Sequence, residues 1–189
     1  MTRFLFAAAA LLLAFPTQAQ DALELGAPIP LADQTFTTTD GATLSLGAAS
    51  GAAGLAVIFW SDACPWVDKY AERAASLADG YRRAGVGFAF VQSEPLAEDN
   101  AGATPGAPVM LDETGQLAQA FGARNAPQAF FFGADGALVY QGAIDDSPAN
   151  VDRVQVPYLQ QAMDQSIAGV PIEVQSTRAL GCTIKTAGR

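Results

Sequence analysis

Leu55 to Trp60 form an unbroken apolar run that stops at the polar turn Ser61-Asp62-Ala63. A short apolar run bounded by a turn reads as a buried strand. Past Cys64 and Pro65 the pattern changes period. Trp66, Val67, Tyr70, Ala74, Leu77 and Tyr81 recur at the spacing of one helix face, which predicts a helix from Cys64-Pro65 to about Ala84, closed by Gly85. Val86 to Val91 is the next apolar strand, with Phe88 and Phe90 on one face. Strand, helix and strand in that order imply a right-handed crossover and a parallel pair.

The flanking patterns are weaker. Gln34–Thr39 and Thr43–Leu46 around Asp40-Gly41 predict an N-terminal hairpin, and Gly47 to Gly54 a loop of small residues. Gln92 to Pro108 is polar and reads as exposed. Val109–Leu111 predicts a short strand, Asp112–Gly115 a turn, and Gln116–Phe121 a short helix. Asn125-Ala126-Pro127 leads into Ala129–Phe132, which pairs with Ala137–Gln141 across the turn Ala134-Asp135-Gly136. Phe130-Phe131-Phe132 is core strand. Val156–Ala168 predicts a last helix ending at Gly169, and a tail carrying Cys182 follows. No internal repeat and no second domain are visible. The expected organisation is a segment 1–19, one domain over 20–170 and a tail over 171–189.

Met1 to Ala19 has the pattern of a cleavable export signal. Arg3 is the positive n-region, Phe4 to Phe15 the apolar stretch, and Thr17-Gln18-Ala19 the small-residue cleavage site. The apolar stretch is shorter than the roughly 20 residues a membrane helix needs. Cleavage near Ala19–Gln20 would leave 170 of the 189 residues, enough for one real core. The expected location is therefore periplasmic or secreted, with no membrane association after cleavage.

Charge and chemistry narrow the classes. Removing Arg3, with no acidic residue lost, moves the formal net charge from −9 to −10. That excess of carboxylates argues against nucleic acid, whose binding relies on Lys and Arg neutralising phosphates. With 0 His in the chain, Ser-His-Asp and Cys-His catalysis are excluded and a zinc site is disfavoured. Neither a metal nor an organic cofactor is expected. Asp145-Asp146-Ser147 reads as a turn or cap, because calcium requires more oxygens in a spaced loop.

That leaves the 2 Cys, Cys64 and Cys182. Pro65 suits the first helical position, since its missing N–H has no intrahelical partner there. Cys64 beside it faces free backbone N–H groups and the positive end of the helix dipole, which favour a thiolate. Asp62 partly opposes this by like-charge repulsion.

The element order, with Ala126-Pro127 before the hairpin, resembles the thioredoxin fold: an α/β fold with a central mixed sheet flanked by helices, here with an N-terminal hairpin and a C-terminal tail. Phe59-Trp60-Ser61-Asp62-Ala63-Cys64 resembles the approach to the first active-site cysteine of that fold. Ala126-Pro127 stands at the place of its substrate-facing cis-proline loop, which Trp66 is expected to border. A closer similarity is to the redoxins of the alkyl hydroperoxide reductase/thiol-specific antioxidant superfamily. It runs through Cys64-Pro65-Trp66-Val67, Leu111-Asp112-Glu113-Thr114-Gly115, Phe121-Gly122-Ala123, Val139–Ser147 and Gly181-Cys182-Thr183-Ile184-Lys185.

The resemblance implies thiol–disulfide exchange or peroxide reduction at Cys64, with a disulfide-bearing protein or a peroxide as substrate and an external thiol as reductant. It implies an arginine near a peroxidatic thiolate, for which Arg124 is the candidate, and a hydroxyl three residues before it, which Ser61 supplies. The chain departs from the pattern in two places. Val57 stands where a proline is expected, and Val67 occupies the second position of C-x-x-C. Ser61 cannot replace the missing thiol, so Cys182 or a partner's thiol must resolve the product. Cys182 lies thirteen residues beyond Gly169, a span of up to about 40 Å. A Cys64–Cys182 disulfide is expected, either redox-active or a static staple in a non-catalytic binding or structural module. Thiol labelling before and after mild reduction checks the pairing: two free thiols under oxidising conditions would overturn both versions.

Overall fold

The computed structural model describes residues 22–94, 105 and 107–185. Residues 1–19, expected to be an export signal, and most of the polar stretch after Gln92 lie outside the described residues.

A five-stranded sheet organises the core. Its strands are β3 (Gly54–Trp60), β4 (Val86–Gln92), β5 (Val109–Leu111), β7 (Gln128–Phe132) and β8 (Leu138–Gly142), in the order β5-β4-β3-β7-β8. β3 is parallel to β4 and antiparallel to β7, with Val57 opposite Ala89 on one side and Phe130 on the other. Every residue of β3 is buried, which is why its sequence shows no polar alternation. Two further pairs lie outside this sheet. One is the expected hairpin, β1 (Thr35–Thr37) with β2 (Thr43–Ser45). The other joins β6 (Asn125–Ala126) to β9 (Cys182–Thr183).

The helices follow their apolar spacing. Helix α2 (Pro65–Arg82) buries Val67, Tyr70, Ala74 and Ala78. It stops short of Ala84, where turn bonds from Ala84 N to Tyr81 O and from Gly85 N to Arg82 O take over. Gly85 then reverses the chain at φ +85°. The loop expected at Gly47–Gly54 instead contains part of α1 (Leu46–Ala49). Ser45 Oγ caps this helix by accepting from Ala48 N at 3.1 Å, and fully buried Leu46 anchors it. Helix α3 (Gln116–Phe121) carries Phe121 inward, where its ring meets Phe59, Phe130 and Phe132 edge-on at 5.4, 5.1 and 5.8 Å.

The last helix, α4, spans Tyr158–Ile167 and starts later than Val156. Pro157 disfavours helical backbone at Val156. A 3₁₀ turn at Val151–Arg153 precedes it. Between β8 and that turn, Asp145 is a buried carboxylate that accepts from Tyr70 Oη at 2.9 Å and Arg73 Nη1 at 2.5 Å. Asp145 also caps Ser147 N, and Asp146 accepts from Gln155 N, so this acidic pair does turn work. Burial, reinforced by the Asp145 charge, pushes the Tyr70 hydroxyl far up and keeps it a donor.

Truncating Phe121 to Ala removes all three edge contacts at a site with no exposed surface. The expected loss is about 3–5 kcal/mol of unfolding free energy. Urea denaturation checks it, with the midpoint lowered and the slope unchanged.

Candidate active site

The turn after β3 places Cys64. Its amide donates to Ser61 O at 3.2 Å, and its carbonyl accepts from Val67 N at 2.9 Å and Asp68 N at 3.4 Å. Cys64 is thus the N-cap of α2 with extended backbone, and Pro65 is the first helical residue. Its side chain makes no capping bond, so the sulfur stands at the positive end of an 18-residue helix. The residue is 1% exposed.

Cys64 is joined to Cys182 in a disulfide with a Cα–Cα distance of 6.0 Å across 118 positions of sequence. The tail reaches it along a continuous track. Gln141 N donates to Gln175 O and Thr177 N to Gln141 O, each at 3.0 Å, so the tail runs beside β8. Thr177 Oγ1 accepts from Ala143 N at 2.9 Å and lies 2.8 Å from Tyr140 Oη, whose pKa burial raises. Ala179 is buried. Beyond the disulfide, Ile184 is 2% exposed and its amide donates to Arg124 O at 2.9 Å.

Gly181 makes the final approach possible. A Cβ there would lie 2.2 Å from Ala126 O and 3.0 Å from Pro127 N, closer than any side chain tolerates against backbone. With only hydrogen in that space, Ala126 pairs opposite Cys182 and Asn125 opposite Thr183. Asn125 Nδ2 adds a bond to Gly181 O at 3.4 Å. The Ala126–Pro127 bond is cis, in agreement with the resemblance. Cys64 Sγ lies 3.4 Å from Ala126 O, so the cysteine and this loop face each other.

The remaining sequence candidates fall around this pair. Trp66 follows on the first turn of α2 and is 40% exposed, while Pro127 is buried. Ser61 is buried, and its hydroxyl donates to Glu94 Oε2 at 2.9 Å. Arg124 is exposed, and its backbone holds the loop: its amide donates to Gln128 Oε1 and its carbonyl receives Ile184 N.

Three contributors escaped the sequence reading. Glu94 accepts from Ser61 with one oxygen and from Lys185 N with the other, at 3.0 Å, and so ties the turn before Cys64 to the chain after Cys182. Gln92, read from sequence as the start of an exposed loop, is buried at the end of β4. It donates to Asp62 Oδ1 at 2.7 Å and accepts from Asp62 N at 3.2 Å, which fixes the turn. A polar residue directly closing an apolar strand was the available signal. Gly181 is the third: it stood in the run Gly181-Cys182-Thr183-Ile184-Lys185 that resembles the redoxins, but nothing in the sequence assigned it the close approach to Ala126. Among the described residues, no group of His, Cys, Asp and Glu is arranged to hold a metal ion.

A mixed sheet, a cysteine at a helix start and a cis-proline loop facing it define a thioredoxin-like redox protein. The family profile described as Redoxin matches residues 24–155, and the chain belongs to that family, whose members are thiol–disulfide oxidoreductases or peroxidases. Among solved structures, an uncharacterized conserved protein from Geobacillus kaustophilus is 27% identical at a TM-score of 0.74, covering 88% of this chain and 94% of that one. A hypothetical protein from Sinorhizobium meliloti 1021 is 25% identical at 0.77, covering 89% and 98%. The bacterioferritin comigratory protein of Xanthomonas campestris shares the fold at 18% identity and a TM-score of 0.53, over 79% and 96%. No curated protein sequence matches the chain significantly.

Gly181→Ala tests the close approach. The added methyl should cost the oxidised protein about 1–3 kcal/mol. It should also leave Cys64 and Cys182 open to a maleimide label under conditions where the wild type is unlabelled, as read by intact mass.

Proposed function

We propose that the protein is an exported thiol–disulfide oxidoreductase that cycles between the Cys64–Cys182 disulfide and the corresponding dithiol. One observation carries the reading. The disulfide joins a sulfur at the start of a long helix to a half-buried cysteine on a two-residue strand, beside the Ala126–Pro127 loop. A helix start lowers the cost of a thiolate, which makes a bonded sulfur there a good leaving group. Extensive non-covalent docking of the tail means that opening the disulfide need not unfold the domain. Family membership supports the same class.

Peroxide reduction would use the same two sulfurs, through a sulfenic acid on Cys64 condensed by Cys182. Thiol–disulfide exchange fits the geometry better, because the one hydroxyl proton of Ser61 is committed to Glu94 and not offered toward a peroxide. The substrate is a disulfide-bearing protein and the electron donor an external thiol. Export rests on the pattern of residues 1–19, and the protein recovered from the periplasm or medium should begin at Gln20 by intact mass.

Insulin reduction by dithiothreitol tests the chemistry. Wild type should accelerate it, while Cys64→Ser and Cys182→Ser each lose the acceleration by at least about tenfold, as expected when the nucleophile or its resolving thiol is removed. Serine variants as fast as wild type would refute the enzyme reading. Hydrogen peroxide consumption, run in parallel, should show little dependence on either cysteine.

A further inference from the structure

We infer that exchange enters and leaves through Cys182, with Cys64 as the buried leaving and resolving sulfur; this rests on the redox cycling proposed above. The expectation from sequence places the attacking thiolate on Cys64. The structure separates the two sulfurs by access. Cys64 is 1% exposed, belongs to the hydrophobic core with Val67 and Ala126, and its Sγ lies 3.4 Å from the Ala126 carbonyl oxygen. Cys182 is half-buried, on a strand that pairs with β6 alone.

Displacement at sulfur is collinear: the incoming thiolate approaches opposite the departing sulfur. Attack on Cys182 must come from the side away from Cys64, onto a residue that keeps part of its surface exposed. Attack on Cys64 would have to come through the far side of a residue with almost no surface. Access and leaving-group acidity both set the rate of exchange, and here they favour the same direction. A thiolate leaving on Cys64 forms at the N-terminus of α2, whereas one leaving on Cys182 forms on a two-residue strand with no helix behind it. Asp68, in the first turn, weakens this field but is exposed to solvent.

The step balances in both directions. A thiolate RS⁻ bonds to Cys182 Sγ, the Cys182–Cys64 bond breaks, and its electron pair remains on Cys64 as thiolate. A second RS⁻ then attacks the R sulfur, forms RSSR and releases Cys182 as thiolate, which takes a proton from water. The protein is reduced by two electrons and two RSH are oxidised. In reverse, the Cys182 thiolate attacks a substrate disulfide and expels one half as R′S⁻. The Cys64 thiolate then attacks Cys182 Sγ and expels the other half as RS⁻. The protein is oxidised by two electrons, and the substrate disulfide is reduced to two thiols that take protons from water.

Brief exposure of oxidised full-length protein to reduced glutathione, quenched in excess alkylating agent and digested with trypsin, reads the direction. The peptide 179–185 contains Cys182 alone of the two cysteines. Glutathione should appear there, with the alkyl group on Cys64, in at least about tenfold excess over the opposite arrangement. Glutathione mainly on the Cys64 peptide overturns the inference and leaves the exchange reading intact. A disulfide that resists both glutathione and dithiothreitol in the native protein overturns the exchange reading, and the inference with it. As a second measurement, reduced wild type mixed with oxidised glutathione should give the same partition before closure.

Discussion

The close contact between the backbone at Gly181 and the carbonyl of Ala126 is the constraint on which the candidate site depends. The tail must come within main-chain bonding distance of β6 for Cys182 to lie opposite Ala126, and only then does Sγ meet Sγ. β3 supplies the other half of the geometry. Because β3 is buried along its whole length, the turn that ends it is fixed at the edge of the core, and Cys64 inherits that position. A rigid strand and a docked tail thus converge on one sulfur pair, and the Gln92–Asp62 and Glu94 bonds hold the turn between them.

The parts of this arrangement that were legible in the sequence are those with a period. The apolar run of β3 is buried throughout. Of the expected helix face, Val67, Tyr70 and Ala74 are buried, Leu77 and Tyr81 partly buried and Trp66 exposed. β4 forms as expected, and element boundaries shift by only a few residues. Those shifts have local causes, such as Pro157 at the start of α4 and the turn bonds before Gly85. The pairing of β6 with β9 was not legible, because two residues per strand leave no repeat to detect. Glu94 and Gln92 were hidden for a different reason. Each is an ordinary polar residue in a polar stretch, and its role comes from partners 30 or more positions away.

The chemistry follows from what the chain lacks as much as from what it holds. Without histidine, no imidazole near Cys64 activates or shuttles a proton, and the start of α2 is the structural feature that would favour a thiolate. Asp62 and Glu94 are carboxylates in the same neighbourhood, and both are occupied with backbone and side-chain donors. Their bonding suits a structural use. Redoxins divide between exchange and peroxide chemistry on one fold, so the choice rests on how individual groups such as Ser61 are engaged.

In the proposed cycle, docking of the tail also makes Cys182 an intramolecular reagent. Every contact that keeps β9 in place in the dithiol state raises the effective concentration of one thiol toward the other. A tenfold rise shifts a two-electron couple by about 30 mV toward the more reducing side. The reduction potential is therefore set partly by groups that carry no sulfur: Asn125 holding Gly181, Glu94 holding Lys185, and Ile184 filling its place in the core. Changes at those positions would tune the protein between oxidant and reductant while leaving both cysteines untouched.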